Sequence, residues 1–278
     1  AELASRVKAI LQRTAQRRHQ ANMAPVIGVV GAKGGVGVTT VALNMAAARV
    51  LAGENAIVAD FRPGLGTMGL SLGFPQSQGM ANVLQRPHNE IQPRLVEAEL
   101  VSHASGLRGL LSSAQAQETQ INLSAEAITA TLRCLRQLGR PVIVDLGAGY
   151  TSLVSNLQRE LDHLLMVIDT NPITSMMARE QLNELHQWSG NDAQRVSVAA
   201  VQHIQQTKQL AWQDLERIVG LPIRAAIAPS ADLILQAVQA RVTPVTYQPG
   251  AAFSNQVIKL AEEISVKALQ ASQQAVLE

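Results

Sequence analysis

Val26-Ile-Gly-Val-Val-Gly31 runs directly into Ala32-Lys-Gly-Gly-Val-Gly-Val-Thr-Thr40, and a helical pattern follows to Leu51. The first six residues are apolar or glycine, without polar alternation, as in a strand covered on both faces. Gly34, Gly35 and Gly37 allow the backbone positive φ and let it turn N–H groups inward. The helix predicted from Thr39 to Leu51 stops at Gly53 in the C′ position. Strand, glycine loop and helix N-terminus in that order make a cradle for a phosphate, where N–H groups and the helix dipole converge. Lys33, Gly34, Gly35, Val36, Gly37, Val38, Thr39 and Thr40 are therefore candidate phosphate-loop residues. Thr39 can offer its hydroxyl to Mg²⁺ and Thr40 its hydroxyl to a phosphate. The plain alternative is a tight turn with no ligand.

Outward from this loop, the pattern repeats. Further short apolar strands are predicted at 56–60, 107–111, 141–145, 164–169, 196–201 and 225–228. Helices are predicted at 124–139, 174–188, 208–218, 231–240 and 254–271. Ser124 caps the first of these, with Glu126 in its first turn, and Ser254 caps the last. Residues 62–93 are rich in Gly and Pro and predict loops with short helices. Strands alternating with helices through the body imply an α/β fold with a doubly wound, mainly parallel sheet.

Composition narrows the function. The chain has 278 residues, of which 47% are hydrophobic and only 16% charged, which excludes a charge-rich disordered chain. Aromatics at 3% argue against a stacking platform for single-stranded nucleic acid. The net charge of +2 divides unevenly. Residues 1–24 carry Arg6, Lys8, Arg13, Arg17 and Arg18 against Glu2, whereas the other 254 residues carry 18 basic and 20 acidic side chains. The body is thus mildly acidic, and nucleic acid is not an expected partner. Leu3, Val7, Ile10 and Leu11 form one helical stripe, so 1–24 reads as a basic helical leader and linker, and 25–278 as one domain. The single cysteine, Cys134, excludes an intrachain disulfide or a multi-thiolate metal site. The six histidines show no metal-ligand spacing, and Cys134, Trp188 and Trp212 read as packing residues. No apolar run is long enough to span a membrane, and no secretory h-region is present, so a cytoplasmic protein is expected.

The loop resembles the deviant phosphate loop of the MinD/ParA ATPases, Lys-Gly-Gly-Val-Gly-Lys-Thr-Thr. Lys33 falls on that family's signature lysine, which implies an ATP-bound sandwich homodimer. Asp60, in Asp60-Phe-Arg-Pro-Gly-Leu65, resembles the first acid of switch I. Asp145, between Val142-Ile-Val144 and Leu146-Gly-Ala-Gly149, resembles the Walker B acid followed by the switch II glycine. Asn171, in Asp169-Thr-Asn-Pro172, and Pro229, in Ile227-Ala-Pro-Ser-Ala-Asp232, resemble family segments at the nucleotide. The resemblance implies a P-loop NTPase fold, ATP or ADP as ligand, and Mg²⁺ near Thr39, Asp60 and Asp145. Lys33 and Asp60 would be its catalytic residues. Four positions depart from the pattern. Val38 replaces the loop lysine, Ala32 the leading glycine, and Arg62 the second switch I acid. Val201-Gln-His203 lacks the usual asparagine. With Val38 and Arg62 in place, ATP hydrolysis is expected to be weak or absent.

Gly31-Ala-Lys-Gly-Gly-Val-Gly37 followed by a non-lysine, the strand after Ser105-Gly106, and Val142-Ile-Val-Asp-Leu-Gly147 resemble the CpaE/TadZ pilus-assembly branch. That branch implies a localisation factor for pilus secretion machinery (type IV, Tad or Flp type), recruited to the pole or the inner membrane face. The leader resembles the last helix of a response-regulator receiver domain, which such proteins carry before the ATPase. Two other readings stand beside this one. The first is an active MinD/ParA-like regulatory ATPase that positions division sites, flagella or DNA. The second is a scaffold that binds no nucleotide. Val257, Leu260 and Ile264 make the C-terminal helix a docked core helix rather than a basic membrane anchor.

Overall fold

The computed structural model describes residues 23–189, 195–203 and 212–277. Eight strands form one sheet: β1 (Val26–Gly31), β2 (Ile57–Asp60), β3 (Val101–Ser102), β4 (Arg108–Leu110), β5 (Val142–Ala148), β6 (His163–Asp169), β7 (Val196–Val201) and β8 (Ile223–Ile227). Their order is β3-β4-β2-β5-β1-β6-β7-β8. Every pairing is parallel except β3 with β4. The doubly wound α/β reading therefore holds. β1 sits centrally between β5 and β6, so the loop that leaves its C-terminal end emerges between two crossovers. Ligands bind at this kind of switch point in open α/β sheets.

Burial explains why the strands lack alternation. Val26 and Val30 enter one core, while Ile27 and Val29 enter the other, on the opposite face. The second core holds α1 (Val38–Leu51) and α11 (Ala252–Leu277), the first α5 (Ala125–Leu138) and α7 (Pro172–Ser189). Ser124 caps α5, its Oγ accepting from the Ala127 N–H at 3.1 Å. Between these lie α2 (Met68–Leu72), α3 (Gly79–Leu84), α4 (Pro93–Ala98), α6 (Ser152–Leu157), α8 (Trp212–Val219), α9 (Ala231–Gln239) and α10 (Pro244–Tyr247).

Several boundaries differ from expectation. Ser254 does not cap the last helix, which begins two residues earlier; its hydroxyl donates to the Pro244 carbonyl at 3.2 Å and ties α11 to α10. The strand expected at 225–228 begins at Ile223. β3 is a two-residue antiparallel edge strand, too short for any periodic signal. Residues 1–22, most of the basic leader, lie outside the described residues, as do 208–211 of the helix expected over 208–218. Ala24 is already buried, its N–H donating to the Arg136 carbonyl at 3.2 Å. Val257, Leu260 and Ile264 are buried in the core, as a docked helix requires. No helix among the described residues is long and apolar enough to cross a membrane.

A buried ion pair anchors the start of the sheet. Asp162 Oδ2 accepts from the Val26 N–H at 2.7 Å and lies 2.9 Å from Arg136 Nη2. Burial raises the Asp162 carboxyl, while Arg136 and the Val26 N–H oppose that rise. Removing one charge of such a pair leaves the other uncompensated in the interior. Asp162→Asn should therefore lower unfolding free energy by about 3 kcal/mol, read from urea denaturation. An unchanged midpoint would show that the pair contributes nothing.

Candidate functional site

The loop between β1 and α1 takes the expected form, with two adjustments. Gly35 (φ 82°) and Gly37 (φ 99°) occupy the left-handed region, whereas Gly34 does not. Helix α1 begins at Val38, not Thr39, and Gly37 is its N-cap residue. A Cβ built on Gly34 or Gly35 would meet nothing within 4 Å, so the rim of the cradle is open. Val38 points the other way. It is buried beneath the loop, against Gly31, in the core shared with α11. A neutral branched side chain thus fills the place of the loop lysine, and the backbone N–H groups of the loop and of the first turn of α1 remain. The Gln181 amide on α7 donates to the Ala32 carbonyl at 2.7 Å and pins the loop from the side.

A cavity of about 230 Å³ lies beside the loop, lined by Gly35, Gly37, Thr40, Val41, Val201, Gln202, His203, Ala228, Ser230, Ala231, Ile234 and Phe253. Thr40, a candidate from the phosphate loop, is among the lining residues. Val201, His203, Ile234 and Phe253 carry no local signal; they meet only because β7, α9 and α11 converge. Ala228 and Ser230 form the wall where Pro229 was expected. Asn171 does not line this cavity and instead caps α7, its Oδ1 accepting from the Ile173 N–H at 2.9 Å.

Lys33 Nζ lies 2.9 Å from Asp169 Oδ2, at the end of β6. Burial raises the Asp169 carboxyl, but Thr174, Lys33 and the Asn171 N–H outweigh it and hold it below its ordinary value. The signature lysine is thus tied to a carboxylate of its own chain.

The acidic strand ends hold the main surprise. Asp60 and Asp145 are register partners on β2 and β5, and both are fully buried. Arg62 reaches back over them. Its Nε lies 2.9 Å from Asp60 Oδ1 and its Nη2 3.1 Å from Asp60 Oδ2, a bidentate pair. The same Nη2 lies 2.8 Å from Asp145 Oδ2, an ionic contact without a well-angled hydrogen bond. Asp145 Oδ1 accepts from the Gly147 N–H at 2.8 Å. Burial raises the Asp60 carboxyl to about 7, against the pull of Arg62. Burial raises Asp145 too, with Arg62 and the Thr39 hydroxyl opposing.

Mg²⁺ does not fit between Asp60 and Asp145 with Arg62 so placed. The guanidinium holds both Asp60 oxygens and lies 2.8 Å from Asp145 Oδ2, so an ion between the two carboxylates would have to displace it. No group of three or more His, Cys, Asp or Glu able to hold a metal occurs among the described residues.

The loop, its order after β1, and the acids on neighbouring strands define a family. A family model described as cellulose biosynthesis protein BcsQ matches residues 23–263. The chain belongs to the BcsQ family. No curated protein matches it. Among solved structures, it is similar to a ParA family ATPase from Chlorobium tepidum TLS, at 20% identity and TM-score 0.75, over 86% of this chain and 98% of that one. It is similar to MinD of the Aquifex aeolicus MinC:MinD complex, at 19% identity and TM-score 0.71, over 87% and 96%. It is also similar to the septum site-determining protein MinD from Pyrococcus horikoshii OT3, complexed with Mg-ADP, at 16% identity and TM-score 0.70, over 87% and 96%. This BcsQ-family chain therefore has the MinD/ParA-type P-loop fold.

The charge cluster sets a pH dependence. A raised carboxyl contributes most below its unfolded value, and its contribution fades as pH rises through the folded value. In Arg62→Met, Asp60 and Asp145 lose their counter-ion and are pushed higher still. The variant should lose about 3 kcal/mol of stability at pH 8 and markedly less at pH 5.5, where a proton replaces the guanidinium. Chemical denaturation at the two pH values reads this, and an equal loss at both would refute it.

Proposed function

We propose that this chain is a nucleotide-binding, dimerising localisation or regulatory factor for an envelope-associated assembly machine, with ATP hydrolysis weak or lost. The observation that carries the reading is the contrast within one site. The backbone cradle of the phosphate loop is kept, while Val38 is buried and Arg62 is clamped on the two acids. Binding draws mainly on N–H groups and a helix dipole. Turnover needs a loop cation and an acid that orients the attacking water. The first set is intact and the second is not. ATP or ADP is the proposed ligand, as the similar MinD from Pyrococcus horikoshii OT3 is complexed with Mg-ADP.

Nucleotide would act as a state-selecting ligand. A protein with two assembly states shifts toward the one that binds ATP more tightly, and no hydrolysis is required for that shift. Lys33 would serve a homodimer by leaving Asp169 and reaching the partner's nucleotide. The machine served is a pilus secretion apparatus on the strength of the CpaE/TadZ-like motifs, with recruitment to the pole or inner membrane face. The family description favours a second reading, in which the machine makes cellulose. Loss of surface pili on deletion of the gene supports the first, and loss of cellulose with intact pili supports the second.

Purified protein should bind ATP, form an ATP-dependent dimer by sedimentation and show negligible single-turnover hydrolysis. Val38→Lys combined with Arg62→Asp should raise turnover at least about tenfold. Lys33→Ala should retain ATP but lose the dimer. Brisk wild-type hydrolysis would overturn the degraded-site reading, and absence of any nucleotide binding would leave the scaffold.

A further inference from the structure

Arg62 is a built feature, not a surface side chain that happens to fall on two acids. Pro63 and Gly64 (φ 78°) occupy the central positions of a turn closed by the Leu65 N–H to the Arg62 carbonyl at 2.9 Å. Pro and Gly in that order suit a type II turn, which fixes the Arg62 backbone. Gly64 has no room for a side chain, since a Cβ there would lie 2.6 Å from the Thr119 backbone nitrogen. On the other side, Gly147 (φ 75°) makes way for the arginine stem, because a Cβ there would sit 2.9 Å from Arg62 Cδ. The Phe61 N–H donates to the Asp145 carbonyl at 3.3 Å, and Phe61 is buried. Loops from two neighbouring strands are thus shaped around one guanidinium.

The guanidinium has capacity left. Nε and Nη2 are committed to the carboxylates, while Nη1 makes no hydrogen bond among the described residues. The side chain keeps 19% of its surface exposed. An arginine in this geometry neutralises buried carboxylates with one edge and presents planar N–H donors to a phosphate with the other. Its neighbour loop after β5 is tied to the start of the phosphate loop, since the Gly149 N–H donates to the Gly31 carbonyl at 2.8 Å. The other cations that the loop pattern would supply are missing or engaged. Val38 has no charge, and Lys33 is bound to Asp169.

We propose that Arg62 is the resident cation of this site, replacing a divalent metal between Asp60 and Asp145, so that the chain binds nucleotide without Mg²⁺. The inference rests on the nucleotide-binding reading above. It makes the bound species metal-free ATP or ADP. The charge that a metal brings with the ligand is here covalently part of the protein. Occupancy then follows nucleotide concentration alone and is indifferent to free Mg²⁺.

Calorimetric titration of the intact chain with ATP, and separately with ADP, in excess Mg²⁺ and in excess EDTA tests this. The wild-type dissociation constants should agree within about twofold between the two buffers. Arg62→Asp, which restores the family acid, should bind at least about tenfold more weakly in EDTA and recover with Mg²⁺. Arg62→Lys keeps a point charge without the fork, so it should stay metal-independent but weaker. Thermal unfolding of each variant confirms that it is folded. If Arg62→Asp does not fold, the wild-type pair of titrations and Arg62→Lys still decide. Wild-type binding that requires Mg²⁺ overturns the resident cation and leaves nucleotide binding standing. Arg62→Asp binding that is unchanged in EDTA also overturns the resident cation. No binding in either buffer overturns both readings.

Discussion

Asp60 and Asp145 end neighbouring parallel strands in register, and neither carboxylate reaches water. Two negative charges held together in a low-dielectric interior repel each other and lose their hydration, so a proton or a cation must accompany them. Arg62 provides that cation from the chain just beyond β2. The constraint spreads outward from there. It goes with the Pro63-Gly64 turn and with a glycine at 147, where a Cβ would meet the arginine stem. The loops after β2 and β5 thereby share one electrostatic centre, and the bond from the Gly149 N–H to the Gly31 carbonyl at 2.8 Å ties it to the loop after β1.

On the proposed reading, that arrangement separates nucleotide binding from turnover. A phosphate cradle built from backbone N–H groups and a helix dipole does not depend on side-chain identity. Val38 can therefore retire into the core without dismantling the cradle. Catalysis is less forgiving, because it needs particular charged side chains in particular positions. A chain that binds without turning over can still bias an assembly, since only differential affinity between states is needed.

How much of this was legible in the sequence varied with how local the cause is. β1, the glycine loop and the Ser124 cap follow from neighbouring residues, and the structure has them at or within a residue of their expected places. Lys33, Thr40, Asp60 and Asp145 were also visible, each as the end of a strand or part of the loop. The misses share another origin. β3 forms only because β4 lies alongside it. Ser254 has the right residue type for a cap, but its acceptor is the Pro244 carbonyl on another helix. The cavity beside the loop is walled by Val201 and His203 from one segment and Ala228 and Ser230 from another, which only the packing of β7 against β8 brings together.

By itself the sequence determined the architecture: buried strands alternating with helices, a glycine loop entering a helix N-terminus, and acids at two strand ends. These are consequences of local periodicity and backbone freedom, which act over a few residues. It also showed that Arg62 stands where an acid was expected, but read there only as a lost function. Tertiary structure alone decided what the arginine does. Parallel pairing of β2 with β5 brings Asp145 beside Asp60 across 85 residues of chain, and the guanidinium becomes the counter-charge of both. Long-range electrostatics of that kind exist only once the sheet has closed, because burial creates the low dielectric that makes a counter-charge necessary.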